Sequence, residues 1–473
     1  MKHIYAVFTR KEHIIYLALV VVVLFYNQQP LKAQSAPDSL VIREVYDSAL
    51  VNGKSHELLR QLTKDIGHRL SGSAGADKAV TWGKEVMETL QFDTVWLQEV
   101  MVPHWERGKA EKVLLKANGK EKDQALHALA LGGSPGTGTK GVSAQVVEVA
   151  DFAALDKLGR EGVKGRIVFF NFPMNQQHIT TNRAYGEAAA YRTTGPSRAA
   201  QLGAVGAIVR SISTALDKVP HTGTTRFADG VTPIPALAIS TWDAEMLSNK
   251  LRSGKPQTLY LETHCRTLPD KLSYNVIGEL RGSEFPEKII TVGGHLDSWD
   301  VGEGAHDDGT GVVQSIEVLR ILKAIGYQPR HTLRAVLFMN EENGLRGGHT
   351  YADEAARKGE KHVAALESDS GGFTPMGFSI DGTKEAVASV AAFAPLFEGY
   401  QVNEFKQGFS GADIGPLKPL GPLLIGYRPD SQRYFDLHHT AEDTFEKVNK
   451  RELALGAAAM TSLVYLLDQH GDF

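Results

Sequence analysis

The chain has 473 residues, 42% hydrophobic and 22% charged, with a formal charge of −4 and one cysteine. The length predicts two or three domains, and the ordinary globular composition excludes a disordered chain, a collagen-like fibre and a coiled-coil rod. The acidic balance supplies no basic field for a polyphosphate, so no nucleic acid partner is expected, and Cys265 alone excludes an intrachain disulfide, a thiolate zinc cluster and a Cys-x-x-Cys redox pair.

Residues 1–34 carry the marks of a secretory signal peptide. Lys2, Arg10 and Lys11 form a basic start, an apolar run over 14–26 follows, and Ala33 stands at a cleavage point. The run is too short to cross a bilayer comfortably; a retained N-terminal anchor is the other reading. Removal takes away four basic residues and one acidic residue, leaving 47 against 54, a net of −7. The mature chain is expected to be secreted or periplasmic, with no stable membrane span.

Residues 35–125 begin the main domain. Helical periodicity over 39–90 is broken at Gly67 and at Ser71-Gly72-Ser73, and a second helical stretch covers 74–90. Val95, Leu97, Val100 and Val102 then alternate as a strand over 93–102 that stops at Pro103. A glycine-rich joint at 132–138 lies near the start of a module over 126–268. Its short strands at 144–149, 166–170, 204–210, 234–238 and 258–262 read as β-rich, with helical patches such as 196–203, where Pro196 suits a first helical position. Over 269–473, apolar strands at 288–292, 333–339, 363–366 and 423–427 alternate with helices at 310–325, 348–357, 384–396 and 451–469. This predicts an α/β fold: a doubly wound, mostly parallel sheet flanked by helices, interrupted by the β-rich module.

Sites on such sheets form at the carboxyl ends of strands. Five such ends or loops carry metal-binding chemistry: Gly294-His295-Leu296-Asp297, His306-Asp307-Asp308-Gly309, Asn340-Glu341-Glu342, Glu367-Ser368-Asp369 and His438-His439-Thr440-Ala441-Glu442-Asp443. Each alone is an ordinary turn, cap or solvated face. Together, two imidazoles and three carboxylates suffice for two divalent ions that share one carboxylate, and imidazole with carboxylate suits zinc. Two ions can clamp an attacking hydroxide and a polarised carbonyl, and an adjacent acidic pair can divide ligation from proton transfer.

The set resembles the co-catalytic dizinc exopeptidases, the family of secreted aminopeptidases and glutamate carboxypeptidases. The likeness extends to Ile66-Gly67-His68-Arg69-Leu70-Ser71-Gly72-Ser73, to Val102-Pro103-His104-Trp105-Glu106-Arg107-Gly108 and to the inserted module, which resembles a protease-associated domain. It implies two Zn2+ as cofactors. Asp307 would bridge them, His295 and Asp369 would complete one site, and Glu342 and His439 the other. Glu341 would be the general base for a metal-bridging hydroxide. Asp297 would orient His295 through the second ring nitrogen, and the Asp307–Asp308 peptide would be cis. His438 stands where many relatives have a tyrosine, and would stabilise the oxyanion as a neutral donor or as an imidazolium; an alternative makes His438 the ligand and His439 its neighbour. A homodimer is also implied.

The substrate is expected to be a peptide or dipeptide cleaved at a terminal bond. Asp413, in Phe409-Ser410-Gly411-Ala412-Asp413-Ile414, either faces a substrate amino group or caps a helix. Arg428 and Arg433 either bind a terminal carboxylate or are surface residues. Tyr185, Tyr191, Arg192 and Thr194 form either a lid or an exposed loop. The competing functions are an aminopeptidase on longer peptides, a glutaminyl cyclase with a single zinc, and a non-catalytic receptor-like relative. The full ligand set with Glu341 argues against the last two.

Overall fold

The computed structural model describes residues 36–117 and 122–471; the segment read as a signal peptide lies outside the described residues. In chain order the strands are β1 (Thr94–Glu106), β2 (Lys112–Leu115), β3 (Gln124–Leu126), β4 (Ala128–Ala130), β5 (Val142–Val149), β6 (Ile167–Phe170), β7 (Gly206–Arg210), β8 (Ala236–Ile239), β9 (Thr258–Glu262), β10 (Arg266–Leu280), β11 (Phe285–His295), β12 (His331–Phe338), β13 (Lys361–Glu367), β14 (Pro375–Asp381), β15 (Glu404–Gln407) and β16 (Leu423–Pro429). They form two mixed sheets, ordered β1-β10-β12-β11-β13-β16-β14-β15 and β3-β2-β9-β5-β6-β7-β8-β4.

The first sheet is parallel at its centre, where β12, β11, β13 and β16 pair in register. β12 is buried along its whole length, because its alternate side chains enter two different cores. Leu333, Ala335 and Leu337 join helices Thr310–Ala324 and Lys450–His470, whereas Val336 and Phe338 pack with Tyr351 and Ala355 of helix Arg346–Lys358. Polar residues are thereby pushed to the strand ends, where the site lies.

The structure corrects several expectations. The first sheet is mixed: its pairs are mostly parallel, as expected, but β10 pairs antiparallel with both β1 and β12, and β14 pairs antiparallel with β16. β10 escaped the sequence reading because its first half is largely exposed and its charged residues hide the alternation. β1 does not stop at Pro103 but runs on to Glu106. It is an edge strand, and its register with β10 shifts between Val102 and His104, so the missing proline N–H interrupts no ladder. The segment 126–268 supplies most strands of the second sheet, as expected, but carries more helix than the sequence suggests, in Phe152–Val163, Thr181–Thr193, Gly195–Gln201 and Thr241–Arg252. Thr181–Thr193 buries Thr181, Ala184, Ala188 and Arg192, a face too small and polar to show as an apolar stripe. β2, before residue 126, already pairs with β9 in this second sheet. The helix expected over 384–396 is two, Lys384–Ala391 and Ala394–Phe397.

The sheets meet through apolar residues from both. Met174, Ala184, Ala188 and Ile212 pack with Phe373, Tyr434 and Phe435. Tyr185 stacks on Phe435 at 4.5 Å.

Candidate metal centre

β11 ends at His295, β12 leads into Asn340-Glu341-Glu342, and β13 ends at Glu367, two residues before Asp369. Parallel pairing in register carries these three strand ends to one edge. Asp307 lies in the turn before helix Thr310–Ala324, preceding a cis peptide to Asp308. Asp308 ties that turn to β11, since its Oδ2 accepts the His295 N–H at 3.0 Å and its Oδ1 that of Gly311 at 3.1 Å. A side chain at Gly311 would stand 2.0 Å from the Ser368 carbonyl oxygen, so only glycine permits this approach.

The expected ligands converge. Asp307 Oδ1 is 3.2 Å from His295 Nε2, and Asp307 Oδ2 is 3.2 Å from His439 Nε2. Asp369 Oδ1 is 3.6 Å from His295 Nε2, and Glu342 Oε2 is 3.1 Å from His439 Nε2. His438 Nε2 is 3.6 Å from Asp307 Oδ2, and its ring stacks on His439 at 3.5 Å. Of the two adjacent histidines, His439 is the one that also meets Glu342.

Burial opposes charge on the imidazoles, but Glu342 and Asp307 drive His439 up to about 10, and Asp307 and Asp369 drive His295 well above its ordinary value. Against its own burial, Asp307 is held well below the carboxylate range by His438, His295 and His439. Burial, then Asp307, pushes Glu342 up to about 7, and burial raises half-buried Glu341 well above its usual range. Burial, then His439, holds His438 well below an ordinary histidine. The cluster holds more acids than cations, and the buried Oδ2 atoms of Asp297 and Asp307 make no hydrogen bond of good geometry. Divalent ions would supply the missing positive charge, and the donor set of imidazole nitrogen and carboxylate oxygen fits them.

Asp297 meets the second ring nitrogen of His295, as expected, but through its backbone carbonyl and not its carboxylate. His295 Nδ1 donates to the backbone carbonyl of Asp297 at 3.0 Å. Its carboxylate, 3.8 Å from that nitrogen, instead accepts the N–H groups of Asn340 at 2.7 Å and Glu341 at 3.0 Å. Strand and loop proximity, not ring orientation, dictates this: β11 and β12 end side by side.

Asp413 does not cap a helix. It is fully buried, neither carboxylate oxygen has a hydrogen-bond partner, and helix Gly415–Leu420 has no side-chain cap. Arg428 is part-buried and donates to Ser379 Oγ at 2.8 Å and to the Phe409 carbonyl. Arg433 is exposed, its guanidinium 4.7 Å from the Phe373 ring centroid. The exposed-loop reading holds for Thr194 alone of its four residues. Tyr185 meets Phe435 and His438, Arg192 reaches His439, and Tyr191 stacks on Phe172 inside the second module.

Other contributors had no role assigned from sequence, although Asp443 and Arg69 lie within the motifs quoted above. Asp443 accepts the N–H groups of His306 at 2.7 Å and Asp307 at 3.1 Å. Its only local signal is the acidic pair Glu442-Asp443. Tyr434 places its hydroxyl 3.5 Å from Asp369. Arg69, fully buried, donates to the carbonyls of Leu296, Glu303 and Gly304 at 2.6, 2.7 and 2.8 Å and so shapes the loop between the expected ligands His295 and Asp307. His221 and Thr222, from the second module, touch the His438-His439 segment; nothing local marks them.

Imidazoles and carboxylates collected at the carboxyl ends of buried parallel strands, with a second acid beside the candidate ligands, are the donor set of a metal-dependent hydrolase. The family model described as peptidase family M28 matches residues 275–464. Carboxypeptidase Q of Xenopus laevis is 35% identical over 431 residues, 90% of this chain and 89% of the relative, and that of Homo sapiens is 33% identical over 423 residues, 89% and 86%. A crystal structure of a peptidase M28 precursor from Shewanella amazonensis superposes with a TM-score of 0.86 at 34% identity, covering 91% of this chain and 96% of that one. A zinc aminopeptidase from Bacillus subtilis shares the fold at a TM-score of 0.62 and 21% identity, covering 87% of this chain and 94% of its own. The chain belongs to peptidase family M28 and is a metallo-exopeptidase.

Proposed function

We propose that the protein is a secreted or periplasmic dizinc exopeptidase that hydrolyses dipeptides or terminal peptide bonds. The observation that carries this reading is Asp307, with one oxygen 3.2 Å from each of two imidazoles. His295, Asp307 and Asp369 would hold one zinc, and Asp307, Glu342 and His439 the other. When bound, the ions supply Lewis acidity to the scissile carbonyl and acidity to the attacking water. Glu341 takes the proton of that water and delivers it to the leaving amine. His438 donates a hydrogen bond to the developing oxyanion. Asp297 holds Glu341 in place through the backbone.

The second sheet, with the residues expected at 126–268 and the preceding β2, acts as an inserted protease-associated-like module between the 35–125 and 269–473 parts of the peptidase domain. Secretion rests on residues 1–34; among the described residues no helix is long and apolar enough to cross a membrane. The homodimer implied by the family resemblance completes the reading, and sedimentation of the mature chain tests it.

The test of the function is hydrolysis of a matched set by zinc-loaded mature protein: a free dipeptide, its N-acetyl form, its C-amide and a tripeptide. Cleavage of the free dipeptide, with two zinc ions per chain, is expected. No cleavage of any member by protein holding two zinc ions overturns the reading.

A further inference from the structure

The last ligand of the metal centre is gripped by the other sheet's module. Thr222 lies in the segment between β7 and β8, far from the catalytic strand ends in sequence. Its N–H donates to the His439 carbonyl at 3.0 Å, and its own carbonyl accepts from His439 Nδ1 at 3.3 Å. A carbonyl can only accept, so this pairing holds a proton on Nδ1 and makes Nε2 the nitrogen that faces Asp307 and Glu342. The neighbouring His221 is buried and donates from Nδ1 to the His438 carbonyl at 2.9 Å.

His439 has φ 63°, a left-handed conformation that a histidine adopts only when its surroundings hold it there. The backbone pair with Thr222 and the bond from His221 bracket that residue. Arg192 closes the third side. Its guanidinium is buried and bonded through Nη2 to Tyr185 Oη at 2.7 Å; Nη1 packs 3.4 Å from His439 Nδ1, and because both nitrogens carry protons this contact is packing, not a hydrogen bond. The space it fills exists because residue 223 is glycine at φ 133°; a side chain there would stand 2.5 Å from the Arg192 guanidinium carbon.

We propose that the inserted module is a working part of the metal centre: Thr222, His221 and Arg192 are positioning residues, Thr222 orienting the His439 ring through Nδ1 while His221 and Arg192 hold its segment in place, so that one of the two metal ions depends on contacts from the second module. This rests on the two-metal reading above. His295 and Asp369, which hold the other ion, receive no hydrogen bond from these three residues among those described.

The test measures zinc retention of the full mature chain against a graded chelator, in wild type, His221→Ala and His221→Asn, with far-UV circular dichroism and Tm recorded for each. Asparagine can return a donor near the position of the histidine Nδ1. The expected result is two zinc ions in wild type, one of them held 10–100-fold more weakly in His221→Ala, and recovery in His221→Asn. With cobalt(II) in place of zinc, the visible absorption band should change in His221→Ala and return in His221→Asn. Should His221→Ala fail to fold, Arg192→Gln replaces it, with loosening of the same single ion expected. Equal retention of both ions in the folded variants, or equal weakening of both, overturns the inference. A wild-type chain that takes up fewer than two zinc ions overturns the two-metal reading itself, and is seen before any variant is compared.

Discussion

The backbone N–H of Glu341 donates to Asp297 Oδ1 across 3.0 Å. The same oxygen accepts from Asn340 at 2.7 Å, a residue held at φ 76°. The carboxylate of one strand end thus fixes the turn from which the proposed base projects. Asp297→Ala is expected to lower kcat about 10–100-fold while KM and zinc content stay near wild type, because the base, not the substrate pocket, loses its support. Asp297→Asn keeps an oxygen acceptor and should recover most of the rate. Steady-state kinetics with metal analysis separates these outcomes; a rise in KM alone, or loss of zinc, contradicts them.

Glu341 stands beside the ligands without being one in the proposed assignment. Glu341→Gln removes the proton acceptor and keeps the shape. Turnover is expected to fall by about 10^2–10^4-fold, with two zinc ions still bound. Near-normal turnover of the folded, metal-loaded variant would show that the proton goes elsewhere.

Arg69 has no exposed surface, and its guanidinium serves three carbonyls on the loop between His295 and Asp307. Arg69→Met leaves those oxygens buried without donors. A loss of about 3 kcal/mol is expected, read from urea unfolding of the apo protein. Lysine should not rescue it, since a single ammonium cannot span the three acceptors of a planar fork.

Glu360 makes a pH-dependent contribution to stability. Burial works to raise its carboxyl, but His362 at 3.2 Å and Arg334 at 2.8 Å outweigh it and bring it down to about 2. A carboxyl lowered on folding stabilises the protein above its unfolded value, and that stability is lost as pH falls from about 4.5 toward 2. Glu360→Gln should therefore be less stable than wild type at pH 7, with the difference shrinking through the acid limb. Parallel unfolding curves at pH 7 and pH 3 check this. A gap that widens toward acid would reverse the assignment.

The sequence by itself determined the strand ends and the chemistry they carry. A fully apolar run such as Ala335-Val336-Leu337-Phe338-Met339 can only be a buried strand or helix segment, and acidic residues directly after it must lie where the sheet meets water or metal. Those are local facts, written in periods of two and 3.6. Only the tertiary structure decided that Asp297 supports residues 340 and 341 with its carboxylate and His295 with its carbonyl. That depends on β11 and β12 ending side by side, which neither strand's own pattern specifies. β10 was illegible for a related reason: its exposed half follows no apolar alternation, so its pairing with β1 and β12 appears only once those partners are in place. The grip of Thr222 on His439 is the extreme case. Its atoms on the Thr222 side are backbone groups that every residue but proline possesses, so no side-chain pattern marks it, and the residues are brought together by the packing of one sheet's module against the other.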